Sequence, residues 1–484
     1  MKKTLASLLL ALIILLAGCS RSPLPPENSD SANLPAAERI DTHATTTIVT
    51  YLPSVDNRQL IQRSREMVVP EGQLLLQAAI VNLLSETGDE RTTPLFGGGA
   101  SLKSMTKSRN VLLIDITSQL ALEAMDEQML LNSVSALVNT VTANSKVEYI
   151  HLWINGQALA SRGVLTNPLT SLDTNLEQLW ILHKYYMEAG EISPDQSERQ
   201  VLFYTDASGE YLLASAGEPV TRSGNLVDDL IQRMRQAPAD APELVSAIPS
   251  TLTLSKSPQL EMTQEGEQVV SVWFSSPKYE NFSGQKAYLL AGAITMAIYC
   301  NFPDVDSVLI YVDNRLVTSL PDVNFPSGES LTSEVFLSSV ADMTTLYFPH
   351  QQTGKLVAVQ RATNQSDTSQ LRVRVDELIR GPLAGEDSAL TYAFSVGITS
   401  QDLISVQSQG GCATVNFSSN FESYYPTDPD KERLMIYSIV NTLTSEPSIN
   451  RVQILVEDRR VGALGAIDLT NPLIRNPGII QANP

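Results

Sequence analysis

The sequence predicts an α+β fold made of three tandem units. Each is a small mixed sheet with two helices, in the approximate order β-β-α-β-β-α-β. Three observations predict it. Leu137-Val138-Asn139-Thr140-Val141-Thr142 and Ile439-Val440-Asn441-Thr442-Leu443-Thr444 are close to identical and lie 302 positions apart. Their register runs on without a gap into Val147, Ile150, Leu152, Ile154 and into Ile449, Val452, Ile454, Val456. A third copy lies between them, with Val305, Val308, Ile310 and Val312 following an apolar helical stretch from Ala287 to Cys300. Repetition at this scale is read before any local signal, because it fixes the architecture. At 484 residues the chain exceeds one core, and roughly 100–200 residues per domain leaves two to four.

The elements of each unit follow from periodicity. The first strands span Thr47 to Leu52, Val201 to Tyr204 and Thr345 to Phe348, with Pro53 and Pro349 closing two of them. A second short strand is expected in two copies, Tyr211 to Ala214 and Lys355 to Gln360. An amphipathic helix comes next. Leu371, Val375, Leu378 and Ile379 fall at i, i+4, i+7 and i+8, and Leu226, Leu230, Ile231 and Met234 make the same stripe. Gly381-Pro382 ends the third copy's helix as a helix C-terminus prefers; the first copy's runs from Leu74 to Leu84. A hairpin follows, its second members Val111 to Ile116, Val269 to Phe274 and Ala413 to Phe417. The second helix then leads through a turn to the last strand, where Ile150, Leu152 and Ile154 alternate onto one face. These readings place units at 46–182, 198–325 and 343–480, with breaker-rich linkers between. In the first, Leu172, Leu176, Leu179 and Trp180 predict an extra helix.

The N-terminus reads as an address. Met1-Lys2-Lys3 is basic and Leu5 to Ala17 is almost wholly apolar. That run is too short for a bilayer core, which needs roughly 20 residues, and has the build of a secretory signal over 1–18. Leu16-Ala17-Gly18-Cys19 resembles a bacterial lipobox. The resemblance implies cleavage before Cys19, its lipidation, and anchoring to the outer face of the cell membrane. Residues 19–45, rich in Pro, Ser and Asn, are then expected to be a lipid anchor and disordered tether.

Composition excludes several function classes. The formal charge of −20 repels phosphate backbones, so no nucleic-acid partner is expected. Three cysteines rule out a disulfide scaffold or a Cys-based zinc domain. Cys300 and Cys412 read as buried free thiols. His43, His151, His183 and His350 lie far apart. His151 should face away from the core of its own strand, His183 should follow the 172–182 segment, and His350 should lie in a turn. No catalytic residue, cofactor or metal site is nominated. Gly97-Gly98-Gly99 lacks the Lys-Ser/Thr of a phosphate loop and reads as a flexible loop. Thr427 to Glu432 reads as a helix N-terminus and not a calcium loop.

The third unit carries Leu346-Tyr347-Phe348-Pro349, Gly354 to Arg361, Val375-Asp376-Glu377-Leu378-Ile379-Arg380-Gly381-Pro382 and Ala413 to Phe421. In that order these resemble the GerMN domain of bacterial sporulation and spore-germination lipoproteins. The resemblance extends to 201–318, through Val245 to Pro249 and Trp273-Phe274-Ser275-Ser276, and to 46–160, where no Gly-Pro follows the first helix. It implies a non-catalytic, lipid-anchored, extracytoplasmic binding or scaffold protein linked to sporulation, germination or cell-envelope assembly. Its expected partners are the membrane through Cys19, cell-envelope or sporulation-complex proteins, and further copies of itself. An accessory ligand-binding sensor at the cell wall is the alternative.

Overall fold

The structure, a computed structural model, describes residues 45–69, 74–193, 199–219, 225–276, 284–320, 322–323, 325, 330–364 and 370–481. Cys19, His43 and the whole signal and tether reading lie outside the described residues.

The chain opens with an antiparallel hairpin, β1 (Thr46–Pro53) and β2 (Leu60–Met67). The sequence hid β2 because Leu60 is its one buried residue, so no period-two stripe shows. α1 (Leu75–Ser85) buries Leu76, Ile80 and Leu83. Next, β3 (Ser101–Ser108) and β4 (Val111–Thr117) pair antiparallel. α2 (Glu127–Asn144) starts where Asp126 accepts a hydrogen bond from the Met129 N–H. It carries the chain over to β5 (Tyr149–Ile154), parallel to β4, and β6 (Gln157–Ala158) turns back beside it. α3 (Leu176–Ala189) packs Leu176 and Leu179 back on this first core.

The order then recurs. β7 (Arg199–Asp206) pairs with β8 (Leu212–Pro219), α4 (Leu226–Met234) follows, and β9 (Leu244–Val245) adds to β7. β10 (Thr253–Met262), β11 (Gln268–Ser275), α5 (Gly284–Asn301), β12 (Ser307–Val312) and β13 (Arg315–Leu316) build the second sheet, in the order β10-β11-β12-β13. β14 (Ala341–His350), β15 (Lys355–Asn364) and α6 (Gln370–Arg380) open the third copy. β16 (Leu403–Gln409), β17 (Cys412–Phe417), the short α7 (Asn420–Ser423), α8 (Pro429–Leu443), β18 (Arg451–Val456), β19 (Arg459–Arg460) and β20 (Leu473–Ile474) complete it. The fold is α+β. In each copy, however, the opening hairpin stands as its own sheet beside the larger one, so the single mixed sheet expected from sequence is two.

The repeated hexapeptide joins these parts. Thr140 on α2 accepts from the Tyr51 N–H at 3.0 Å, and Thr442 on α8 accepts from the Tyr347 N–H at 3.0 Å. The helix hydroxyl therefore satisfies the free edge of the hairpin. Asn139 and Asn441 face the other way and donate to Leu172 O and Asn476 O, holding the segment that returns after the last strands. In the second copy Asn301 makes the three bonds of Asn144: it accepts from and donates to the backbone of Val201, as Asn144 does with Val49, and donates to the carbonyl four residues back. Cys300 thus stands in the place of Ala143, and the turn that follows is a residue longer than the first copy's. The described residues fall in one compact unit.

Candidate binding surfaces

The first sheet is apolar on both sides. Leu112, Ile114 and Ile116 of β4 face α1 and α2. Val111 and Leu113, with Trp153 on β5, enter the same core as Phe203, Leu212 and Leu213 of the following hairpin. Each buried side chain of this size contributes about 1.5–3 kcal/mol. Polar contacts fix the seat. Ser108 Oγ accepts from the Ala214 N–H at 2.8 Å, and Arg109 pairs with Glu243 at 3.0 Å. Asp342 of the third hairpin accepts from the Arg109 N–H and pairs with Lys107.

The matching face of the second sheet is differently built. Lys256, Trp273 and Tyr311 stand in register on β10, β11 and β12. Val270, Val272 and Phe274 point into the core, so Trp273 points away from it. The Trp273 and Tyr311 rings stack at 5.5 Å with 8° between planes, and the Lys256 ammonium lies 3.3 Å from the Trp273 ring centroid. Tyr311 occupies the place of Trp153 by strand register. Trp153 is buried by the next hairpin, whereas Trp273 and Tyr311 are half-buried and Lys256 is exposed. In the third sheet the corresponding face is closed by polar pairing: Asn416 donates to Asp458, and the buried Gln453 donates to Leu469 O. An aromatic platform with a cation beside it can receive apolar or ring-bearing groups. The alternation around Trp273 was legible in the sequence; that the equivalent face of the first copy is covered was not.

The third copy holds a buried charge cluster that no local sequence pattern marks. Arg361, 7% exposed, reaches Glu377 at 2.6 Å and Glu386 at 2.9 Å and donates to Gly381 O. Gly381 has φ +83, and a Cβ there would meet the Tyr392 ring, so this corner admits glycine alone. Glu377 and Gly381 belong to the motif that carries the family resemblance, and their role is to enclose Arg361.

The histidines sit in separate surroundings. His151 faces away from the core of its own copy, as expected, but is fully buried; burial lowers its pKa to about 3 and keeps it neutral. His183 lies inside α3, not after it, and is buried. It bonds Glu127 at 2.9 Å and accepts from the Val164 N–H. The hydrogen bond from His183, with Arg162 beside it, holds the Glu127 carboxyl down at about 2. His350 ends β14 as a strand residue, not a turn residue, next to Asp387. Cys300 and Cys412 are buried free thiols, both raised by burial. Just before the glycine run Phe96 is fully buried and its N–H bonds Ser133 Oγ, while Gly97 and Gly99 themselves are exposed. Asp428 caps α8 through the Asp430 N–H. Among the described residues no group of three or more His, Cys, Asp or Glu is placed to hold a metal ion, and no helix is long and apolar enough to cross a membrane.

Residues 49–160 and 345–462 match the family model described as "Germane: Sporulation and spore germination". Among solved structures, the tandem GerMN domains of the sporulation protein GerM from Bacillus subtilis share 17% identity, over 57% of this chain and 96% of that one, with a TM-score of 0.24. The first GerMN domain of the same protein shares 19% identity over 28% of this chain and 97% of that one, with a TM-score of 0.23. No curated protein matches the chain.

Proposed function

From a chain that carries Germane domains at residues 49–160 and 345–462, we propose a non-catalytic scaffold of sporulation or germination that works outside the cytoplasm. The family description supports the sporulation-related role. The lipobox-like Leu16-Ala17-Gly18-Cys19 supports an anchor on the outer face of the membrane, with lipid on Cys19. One observation carries the binding function. The sheet face that the first copy buries under the next hairpin is, among the described residues, covered by no hairpin in the second, and Trp273 and Tyr311 stack on it half-buried. A partner protein of the cell envelope, offering an apolar hairpin as β7–β8 does to the first sheet, would cover that face.

The test is crosslinking in living cells, growing and starved, followed by capture of the tagged chain. Wild type should bring down envelope neighbours that appear on starvation. Trp273→Ala/Tyr311→Ala should lose them at unchanged melting temperature, and Cys19→Ser should move the protein out of the membrane fraction. An unchanged set of neighbours in the double variant would refute the face as the binding surface.

A further inference from the structure

A cavity of about 510 Å³ opens between the first and second copies. One wall is the stretch after β6, with Leu159, Ser161 and Asn167. The other is built from the starts of β7 and α4 and the end of α5. Its volume is within the roughly 300–1,000 Å³ usual for small-molecule sites.

Two side chains in this cleft are left short of partners. Asn167 and Gln200 are 8% and 7% exposed, and the carbonyl oxygen of each amide has no hydrogen-bond partner. An unmet buried polar group is destabilising and uncommon in folded proteins. Behind Asn167 stands the buried His151, its Nε2 3.5 Å from Asn167 Nδ2 and its Nδ1 without a partner. Turning the Asn167 amide over exchanges which of its two atoms is unmet and leaves one unmet either way. The site therefore calls for a group that can both give and accept a hydrogen bond, which is the property of a hydroxyl.

The remaining lining narrows the class. Leu226, Val270, Phe302 and Val305 supply an apolar wall. The charged groups are Arg199 and Asp304, of opposite sign. Arg199 is already committed, donating to Gly217 O at 3.2 Å and lying over the Tyr149 ring. The cleft has no surplus charge to draw an ion.

We propose that this cleft binds a neutral saccharide, with ring hydroxyls on the Asn167 and Gln200 amides and the C–H face of the sugar against Phe302 and the aliphatic wall. This goes beyond the scaffold reading and does not depend on the open sheet face. Pyranose rings combine a rim of hydroxyls with apolar faces, which matches unmet amides set in an apolar wall.

The experiment is calorimetric titration of the full-length protein with the N-acetylglucosamine disaccharide. Saturable binding is expected at one site per chain. Gln200→Leu should weaken it at least tenfold. Leu260→Arg adds bulk and charge at the cleft's rim, where Leu260 is 59% exposed, and should weaken it similarly with no change in melting temperature. That second variant keeps the test valid if Gln200→Leu perturbs folding. Absence of saturable binding, or binding that Leu260→Arg leaves untouched, would overturn the proposal. So would binding of a sugar-free stem peptide in place of the disaccharide.

Discussion

Arg361 is the side chain on which the corner of the third copy turns. Its guanidinium has two glutamates and the carbonyls of Glu377 and Gly381, and it lies over the Phe348 ring at 5.2 Å. Replacing it by Leu leaves Glu386 without its cation and Glu377 with only the exposed Arg380 at 3.4 Å. Breaking a buried pair from one side costs about 3–5 kcal/mol, so Arg361→Leu should lower the urea midpoint by that equivalent. His151 makes a second prediction at this scale. Its folded pKa is pushed down to about 3, against 6.5 in the unfolded chain. The unfolded state binds more protons across that window. Stability is therefore full above pH 6.5 and falls as pH drops toward 3, by about 1.4 kcal/mol per pH unit from this group. His151→Gln should flatten the fall between pH 6.5 and 5 in paired denaturation curves.

At the scale of elements, the link between helix and hairpin is polar. β1 and β14 each leave an edge that the second helix meets with a threonine hydroxyl. Thr442→Val keeps the shape and removes the acceptor, leaving the buried Tyr347 N–H unpaired. We expect a loss of about 1–3 kcal/mol and faster amide exchange at Tyr347. This is also where the sequence was most and least legible. The hexapeptide repeat marks α2 and α8 because its apolar residues fill corresponding cores of the first and third copies, yet its Asn and Thr are conspicuous only as repeated letters. β2 was missed because Gln62 to Glu66 give no buried stripe. The extra residue in the second copy's turn is not legible, because strand periodicity carries no information about turn length. Asn301 shows the offset, since its bonds to Val201 fix the helix against the hairpin. The cleft amides and the Arg361 cluster were invisible for a similar reason: their partners lie in other elements, and nothing local marks them.

For the whole molecule, the first sheet couples one copy to the next. Leu113, 2% exposed, stands in the core shared with β7 and β8. Leu113→Asp would put a carboxylate into this apolar core, opposite a His151 that burial keeps neutral. It should convert a single urea transition into two, the first releasing residues before about 190 to limited proteolysis. A surface substitution such as Tyr392→Ser, at a residue 64% exposed, should leave the single transition intact.

The shared core also sets an order in time. Synthesis delivers Val111, Leu113 and Trp153 before Phe203, Leu212 and Leu213 exist to cover them. Until the second hairpin emerges, the nascent first copy shows a greasy sheet face to whatever surrounds it. The chain therefore cannot mature one bead at a time. Its opening third must wait for its neighbour, and a ribosome that stalls in the linker near residue 190 would leave a fragment suited to chaperones or aggregates rather than a smaller working protein.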